Sequence, residues 1–185
     1  MSKGKLFVIS GCSGVGKGTV LASVMAARAD LRFSVSATTR PPRPGEVEGE
    51  SYYFISKPQF EEMIAQDAFI EYDAHMDNYY GTPVAQLEEK LLTGSVILDI
   101  EPNGAFHVRE KRPDATLIFI APPSIEELER RLRSRGDTSE EQIRLRMGRV
   151  QWEMAQSEHY DYIVTNSQVE TCAAEILNII AEKAD

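Results

Sequence analysis

The chain has 185 residues, 42% of them hydrophobic and 26% charged, which is the composition of one globular domain with a sizeable core. Its formal net charge of −9 argues against general binding to nucleic acid or to anionic membranes, which basic surfaces favour. Cys12 and Cys172 lie too far apart for a zinc motif or a disulfide framework, and no apolar run has the length of a signal peptide core or a membrane span. We therefore expect a cytoplasmic protein with no membrane and no nucleic-acid partner.

The first predicted elements are a buried strand at 6–9 and a helix at 20–27, joined by a glycine-rich loop. Strand, glycine loop, lysine and helix form the layout of a phosphate-binding loop, in which backbone N–H groups and the helix N-terminus converge on an anion. The alternative is an ordinary glycine-rich turn. The loop residues are Gly11, Cys12, Ser13, Gly14, Val15, Gly16, Lys17, Gly18 and Thr19.

Two positions of this loop matter for its chemistry. Lys17 carries a full charge on a stem long enough to reach terminal phosphates. Gly18 stands where the common pattern has the Ser or Thr that ligates Mg²⁺, and the hydroxyl comes one residue later, at Thr19.

A second basic element follows a short predicted strand at 33–36. Residues 38–46 contain three prolines and a glycine, which predict a stiffened loop rather than a helix. Arg40 and Arg43 on this loop suit an oxyanion clamp, and the alternative is a solvated basic loop. A strand at 51–55 comes next.

Ser56 is the expected N-cap of a helix that ends near Gln66. Glu71 then lies in a strand-like run at 68–75 with apolar neighbours, where a carboxylate either faces solvent or is reserved for a partner. Thr82 is predicted to cap a helix that starts at Pro83 and ends near residue 92.

A buried strand at 96–99 ends in Asp99. An acid at the carboxyl end of a buried strand, beside a phosphate loop, is a candidate ligand for Mg²⁺, held partly through water; the alternative is an ordinary strand-terminal Asp. A helix at 102–111, a strand at 115–120 and a helix that opens with a capping box at Ser124 follow.

Seven arginines fall between residues 130 and 149 of this acidic chain. They are predicted to lie on two helices that meet at a turn at Gly136, an arrangement typical of a hinged flap over an anion. Pairing with glutamates on solvated helix faces is the alternative explanation for about half of them. A strand at 160–166 and a helix at 169–183 close the chain.

The alternation of strands and helices predicts a parallel sheet covered on both faces. Ligands of such sheets lie at the carboxyl ends of the strands, where the glycine loop, Ser36, Asp99 and Asn166 all fall. The stretch 36–82 is richer in short strands and aromatic residues and could form a small antiparallel insert.

Five sequence motifs besides the glycine loop carry a resemblance that covers almost the whole chain. They are Ser36-x-Thr38-Thr39-Arg40-x-x-Arg43-x-Gly45-Glu46, Gly49-x-x-Tyr52-x-Phe54, Phe69-Ile70-Glu71, Asn78-Tyr79-Tyr80-Gly81 and Arg131-Leu132-x-x-Arg135-Gly136. In this joint pattern the chain resembles the guanylate kinase family. The resemblance implies an α/β, P-loop NTPase-like, three-layer αβα fold with a parallel central sheet, a small mixed α/β GMP-binding insert and a helical lid. It implies one domain, with a core at about 1–35, 83–125 and 150–185, a GMP-binding region at about 36–82 and a lid at about 126–149.

The resemblance also implies an activity, transfer of the γ-phosphate of ATP to GMP with Mg²⁺, to give ADP and GDP. dGMP is an expected second acceptor, and a monomer or homodimer the expected state. The implied GMP-phosphate clamp is Arg40, Arg43, Tyr52 and Tyr80, and the implied guanine readers are Ser36, Glu71 and Thr82. Asp99 and Glu101 resemble an acidic pair near guanine and metal, and Thr19 and Asp99 are the expected Mg²⁺ ligands.

On the ATP side, the loop residues, Arg131, Arg135 and Arg146 resemble phosphate contacts, and Asn166 a contact near adenine. The implied catalytic residues are Lys17, Arg40, Arg135 and Arg146. The family usually reads Asp-x-Asp-x-Gln-Gly where this chain has Asp99-Ile100-Glu101-Pro102-Asn103-Gly104, so the role of Glu101 is the weaker expectation.

The chemistry of the residues agrees with this activity. Two anionic reactants need positioning and charge neutralisation more than a strong base. A carboxylate such as Glu71 offers two acceptors to the N1–H and 2-amino groups of guanine, whereas adenine would place a lone pair there. Two alternatives stay open: a scaffold of the same fold that binds phosphoproteins, and a kinase for AMP or a pyrimidine nucleotide.

Overall fold

A computed structural model describes residues 4–75, 77–134 and 139–184 of the chain. Within these ranges strands and helices alternate along most of the sequence. The elements are β1 (Leu6–Gly11), α1 (Lys17–Ala27), β2 (Arg32–Phe33), β3 (Ala37–Thr38), β4 (Tyr53–Phe54), α2 (Lys57–Ala65), β5 (Phe69–His75), β6 (Asn78–Pro83), α3 (Val84–Leu91), β7 (Val96–Asp99), α4 (Pro102–Lys111), β8 (Thr116–Ala121), α5 (Ile125–Ser134), α6 (Glu140–Gln156), a 3-10 turn (Ser157–His159), β9 (Tyr162–Thr165) and α7 (Val169–Ala184).

The larger sheet is parallel throughout and has the strand order β2-β7-β1-β8-β9. Its central strands are apolar on both faces, and Val8 of β1 lies in register between Leu98 of β7 and Leu117 of β8, all of them buried. A strand buried on both faces needs helices on each side of the sheet. The predicted α/β fold with a parallel central sheet is confirmed.

The smaller sheet has the order β4-β3-β6-β5. Strands β5 and β6 form an antiparallel hairpin, β6 pairs antiparallel with β3, and β3 pairs parallel with β4, so the predicted insert is mixed rather than purely antiparallel. Helix α2 covers it through Phe60, which stacks on Phe69 with ring centroids 4.2 Å apart. Gly81 is required in β6, because a Cβ there would lie 2.8 Å from the Cβ of Tyr72.

Two local predictions are wrong. The stretch 33–36 is not one strand: β2 ends at Phe33 in the larger sheet, and β3 begins at Ala37 in the smaller one, so the chain crosses between the sheets there. Thr82 is not a helix cap. It lies in β6, and α3 begins at Val84 after Pro83 with no side-chain cap.

Helices α5 and α6 are the two arginine-bearing helices. Ser124 accepts the N–H of Glu127 at 3.1 Å, which is the serine half of the predicted capping box, while the Glu127 carboxylate accepts from Arg130 and Arg131. Ser139 opens α6 in a capping box with Gln142. The predicted turn at Gly136 and the predicted phosphate contact Arg135 lie outside the described residues. None of the helices in the described ranges is both long and apolar enough to cross a membrane.

Candidate active site

The glycine loop lines a cavity of about 340 Å³ at the carboxyl end of β1. Gly14 and Gly16 have φ angles of 84° and 92°, values that favour glycine, and Gly16 is the N-cap of α1. Cys12 is buried inside the loop, and burial raises the pKa of its thiol to about 12. It is therefore a neutral packing residue rather than a nucleophile.

The loop is held from two sides by residues far away in sequence. Asn166, which follows β9, donates its amide N–H to the Val15 carbonyl at 2.7 Å. The Ser13 N–H donates to Oε2 of Glu153 on α6 at 2.8 Å. Glu153 is only 2% exposed, and burial raises the pKa of its carboxyl. No role was predicted for Glu153, because 140 residues separate it from its partner.

Lys17 is the first residue of α1 and forms an ion pair with Asp99, the last residue of β7. Strands β1 and β7 are neighbours, and Ile9 is in register with Asp99, so the end of the sheet brings the two side chains together. The sequence predicts that the glycine loop and Asp99 lie at the carboxyl ends of the strands, and the structure places both of them there.

A second cavity, of about 440 Å³, opens on the other side of this pair, between the larger sheet and the insert. Most of the predicted acceptor residues line it: Ser36, Tyr52, Glu71, Tyr80, Asp99 and Glu101. Asp73 and His75 of β5 also line it. The sequence predicts no role for Asp73 and a structural or surface position for His75.

Glu71 is the most enclosed carboxylate of this second cavity, with 7% of the residue exposed. Its Oε1 accepts the hydroxyl proton of Thr82 at 2.6 Å, and burial raises the pKa of its carboxyl while that hydrogen bond opposes the rise. Its Oε2 lies 3.0 Å from where a Cβ on Gly104 would be. One oxygen of the carboxylate is therefore fixed by a hydrogen bond, and the other lies where a side chain at position 104 would crowd it.

Arg40 is oriented by Glu46, which belongs to one of the sequence motifs but had no predicted role. Nη1 and Nη2 of Arg40 donate to the two Glu46 oxygens at 3.0 and 2.8 Å, and the Arg43 N–H donates to Glu46 at 2.7 Å. Hydrogen bonding to Arg40 is the main cause that lowers the pKa of Glu46 to about 2. The guanidinium also lies 5.4 Å from the ring centre of Tyr52. The side chain of Arg43 is exposed.

The remaining predicted contacts lie on α5, α6 and the start of α1. Arg131 donates to Glu127 at 2.8 Å and to the Asn166 carbonyl at 3.1 Å, at the edge of the glycine loop. Arg146 is exposed and lines neither cavity. Thr19 lines the loop cavity, and a Cβ on Gly18 would meet nothing within 4 Å.

The fold and the site define a class of protein. A glycine loop with its lysine at the edge of a parallel sheet, opening onto a second cavity with an arginine nearby, is the arrangement of a P-loop phosphotransferase with two anionic substrates.

Comparisons with known proteins narrow the class. The family model for guanylate kinase matches residues 3–183. A guanylate kinase of Thermus thermophilus is 47% identical over 179 residues, covering 96% of this chain and 81% of its relative. One from Nostoc is 49% identical over 168 residues, covering 90% and 84% of the two chains. A solved guanylate kinase from Anaplasma phagocytophilum, 33% identical, superposes with a TM-score of 0.76 over 99% of this chain and 87% of that one.

The chain therefore belongs to the guanylate kinase family. It is an enzyme, an ATP-dependent kinase of GMP, and the predicted P-loop NTPase-like fold, family and activity are confirmed. The scaffold alternative and the kinases for other acceptors are set aside by the same findings.

Proposed function

We propose that ATP places its phosphates in the glycine-loop cavity and GMP occupies the second cavity, with transfer at the boundary between them. The single observation that carries this assignment is that Lys17, the loop lysine, lines both cavities. A cation at that boundary neutralises charge on the phosphoryl group as it moves from one nucleotide to the other.

At the acceptor end, we assign the GMP phosphate to Arg40, Arg43, Tyr52 and Tyr80. Glu46 aligns the Arg40 guanidinium before substrate arrives, which lowers the entropic cost of binding. We assign guanine to Glu71 and Ser36, with Thr82 orienting the Glu71 carboxylate. Asp99 and Glu101 close the cavity beside them. The assigned contacts are to the guanine base and the phosphate, which GMP and dGMP share, so we propose dGMP as a second acceptor.

At the donor end, we assign the loop residues, Arg131, Arg135 and Arg146 to the ATP phosphates and Asn166 to the side nearest adenine. Across the donor and acceptor ends, the proposed catalytic residues are Lys17, Arg40, Arg135 and Arg146. We divide the single domain into a core at about 1–35, 83–125 and 150–185, a GMP-binding region at about 36–82 and a lid at about 126–149.

We assign Mg²⁺, with water completing its shell, to Thr19 and Asp99. A hydroxyl and a carboxylate are hard oxygen donors of the kind Mg²⁺ prefers, and Thr19 faces the phosphate cavity while Asp99 lies across the Lys17 pair. The described residues hold no cluster of three or more His, Cys, Asp or Glu side chains that could bind a metal, which agrees with an ion held largely by water and nucleotide phosphates. When bound, the ion offsets charge on the β- and γ-phosphates.

Gly18→Ser tests this assignment, since it adds a hydroxyl one residue before Thr19 in open space. We expect a lower Mg²⁺ concentration for half-maximal activity, and a higher one for Thr19→Val. No change in either variant would contradict the assignment.

An acceptor panel tests the cavity assignment as a whole. Release of ADP is followed with GMP, dGMP, AMP, CMP and UMP, in the parent enzyme and in Glu71→Gln and Lys17→Met. We expect GMP and dGMP to be used and the others not. Glu71→Gln should lower kcat/KM for GMP and for dGMP, which carry the same base, and Lys17→Met should lower kcat with both acceptors. A loss of turnover in Glu71→Gln, together with a loss confined to acceptor affinity in Lys17→Met, would refute the assignment of the cavities.

We propose a cytoplasmic location, supported by two cysteines that are both free and buried. A monomer or a homodimer remains the expected state, and light scattering of the purified chain distinguishes them.

A further inference from the structure

We propose that Arg149 is a further catalytic residue, contacting the phosphoryl group as it passes from ATP to GMP. Of the described residues that line either cavity, three line both: Lys17, Glu101 and Arg149. Two of the three are cations. On the placement of ATP and GMP proposed above, a phosphoryl group that leaves one cavity for the other passes the residues that line both.

The two cations lie far apart in the sequence, and each of them forms an ion pair with a carboxylate. Lys17 pairs with Asp99, and Arg149 of α6 pairs with Glu101, two residues further along. Each cation is thus balanced by its own carboxylate, one at the end of β7 and the other two residues beyond it.

A second carboxylate orients Arg149 relative to the glycine loop. Its Nε lies 3.1 Å from Oε1 of Glu153, one helical turn further along α6, and Oε2 of Glu153 accepts the Ser13 N–H at 2.8 Å. The guanidinium is therefore connected to the backbone that forms the phosphate cavity. The position of the Arg149 side chain therefore depends on the glycine loop as well as on α6.

The chemistry of the group fits a phosphoryl oxygen. Arginine has five N–H donors, and the contacts with Glu153 and Glu101 use Nε and one hydrogen of Nη2, so donors remain for an oxyanion. The Arg149 side chain keeps 42% of its surface exposed at the mouth of the cleft. A planar guanidinium can share its charge between a carboxylate and phosphate oxygens.

Arg149→Met is the direct test, with Arg144→Met as the matched control. Arg144 lies on the same helix, is exposed and lines neither cavity. We expect Arg149→Met to lower kcat about 100-fold, the usual effect of removing one donor to a developing charge, with the KM of each nucleotide within about threefold. Arg149→Lys should recover part of the loss, and Arg144→Met should match the parent. A kcat within about twofold of the parent, or a loss confined to KM, would overturn the proposal.

A purely structural role makes a different prediction. If Arg149 only balances the buried charge of Glu153, then removing that charge should repair the defect. The double variant Arg149→Met with Glu153→Gln is therefore compared with Glu153→Gln alone, whose amide oxygen can still accept the Ser13 N–H. We expect the loss of about 100-fold in kcat to persist in this comparison. Equal kcat in the two proteins would leave Arg149 a structural role only.

Folding is monitored in each variant through Trp152, the single tryptophan of the chain, which lies on α6 between Arg149 and Glu153. If Arg149→Met alone fails to fold, the double variant is compared with Glu153→Gln instead, because neither of these proteins has an unpaired buried carboxylate at position 153.

Discussion

Thr82 donates its hydroxyl proton to Oε1 of Glu71 across 2.6 Å, between paired positions of strands β5 and β6. Both residues are buried, so the bond fixes the carboxylate in a low-dielectric wall of the acceptor cavity. Glu71 is thereby prepared to accept hydrogen bonds on its other edge.

Glu71→Gln should reduce kcat/KM for GMP by about 100-fold or more, because an amide presents N–H groups to donors of guanine and leaves buried polar groups unpaired. The KM for ATP should change much less. Steady-state titration of each nucleotide at saturating concentration of the other measures both effects. Equal losses for the two nucleotides would contradict the role of Glu71 in choosing the base.

The pH dependence of GMP use follows from the same residue. Burial raises the pKa of Glu71, so the folded protein keeps this proton to a higher pH than the unfolded chain does. The contribution of Glu71 to stability is therefore fully present below the unfolded pKa and is lost as the pH rises through the folded pKa. Acceptance of guanine N–H groups needs the ionised form, so kcat/KM for GMP should fall as the pH drops through this raised pKa.

The phosphate of GMP also titrates, with a pKa of about 6, and this limb should appear in every variant. The difference between the pH profiles of the parent and of Glu71→Gln isolates the carboxyl. Identical acid limbs in the two proteins would show that Glu71 does not titrate in GMP binding.

Gly104→Ala should impair GMP use without unfolding the protein. A Cβ at this position would lie 3.0 Å from Oε2 of Glu71 and 3.4 Å from Cδ1 of Ile100, so the carboxylate must shift by a few tenths of an ångström. Alanine favours a helix over glycine by about 0.5–1 kcal/mol, which offsets part of the crowding in α4. We expect a loss of about tenfold in kcat/KM for GMP at nearly unchanged thermal midpoint. Gly148→Ala, in open space on α6, is the matched control and should have no effect.

Arg40→Met should reduce kcat/KM for GMP by about 100-fold, because it removes a charge-assisted contact to phosphate. It also leaves Glu46 near the acceptor cavity without its main partner, which adds repulsion toward the anionic substrate. Arg28→Met is the control. It removes a similarly paired arginine, which donates to Asp30 at 2.6 and 2.7 Å, and it should behave as the parent. Neither arginine lines either of the two cavities, but the guanidinium of Arg40 lies 5.4 Å from the ring centre of Tyr52, which lines the acceptor cavity. Unchanged GMP kinetics in Arg40→Met would remove Arg40 from the clamp.

Lys17→Met should leave the protein folded and remove most of the phosphoryl transfer, by about 100-fold or more in kcat. The side chains of the Lys17–Asp99 pair are 21% and 28% accessible, so solvent reaches part of the Asp99 carboxylate that this substitution leaves without its partner. Single-turnover measurement of GDP formation, with thermal unfolding as the folding control, tests both parts. Near-normal turnover would refute the assignment of Lys17.

The local sequence was sufficient for most elements of the larger sheet. Strand β7 and helix α4 have the bounds that the sequence predicts, because an apolar run of four residues and a proline at the first helical position are signals carried within a few residues. The glycine loop was equally predictable from the sequence, since its residue spacing, the strand before it and the helix after it all lie within one short stretch.

Only the tertiary structure decided which side chains meet. Thr82 precedes a proline and a helix, which predicts a cap, yet its hydroxyl bonds to a strand neighbour 11 residues earlier in the chain. Arg149 pairs with Glu101 across 48 residues, and Glu153 holds the glycine loop across 140. A sequence pattern reports the hydrogen bonds and burial of a single element, whereas these contacts depend on how separate elements pack against one another.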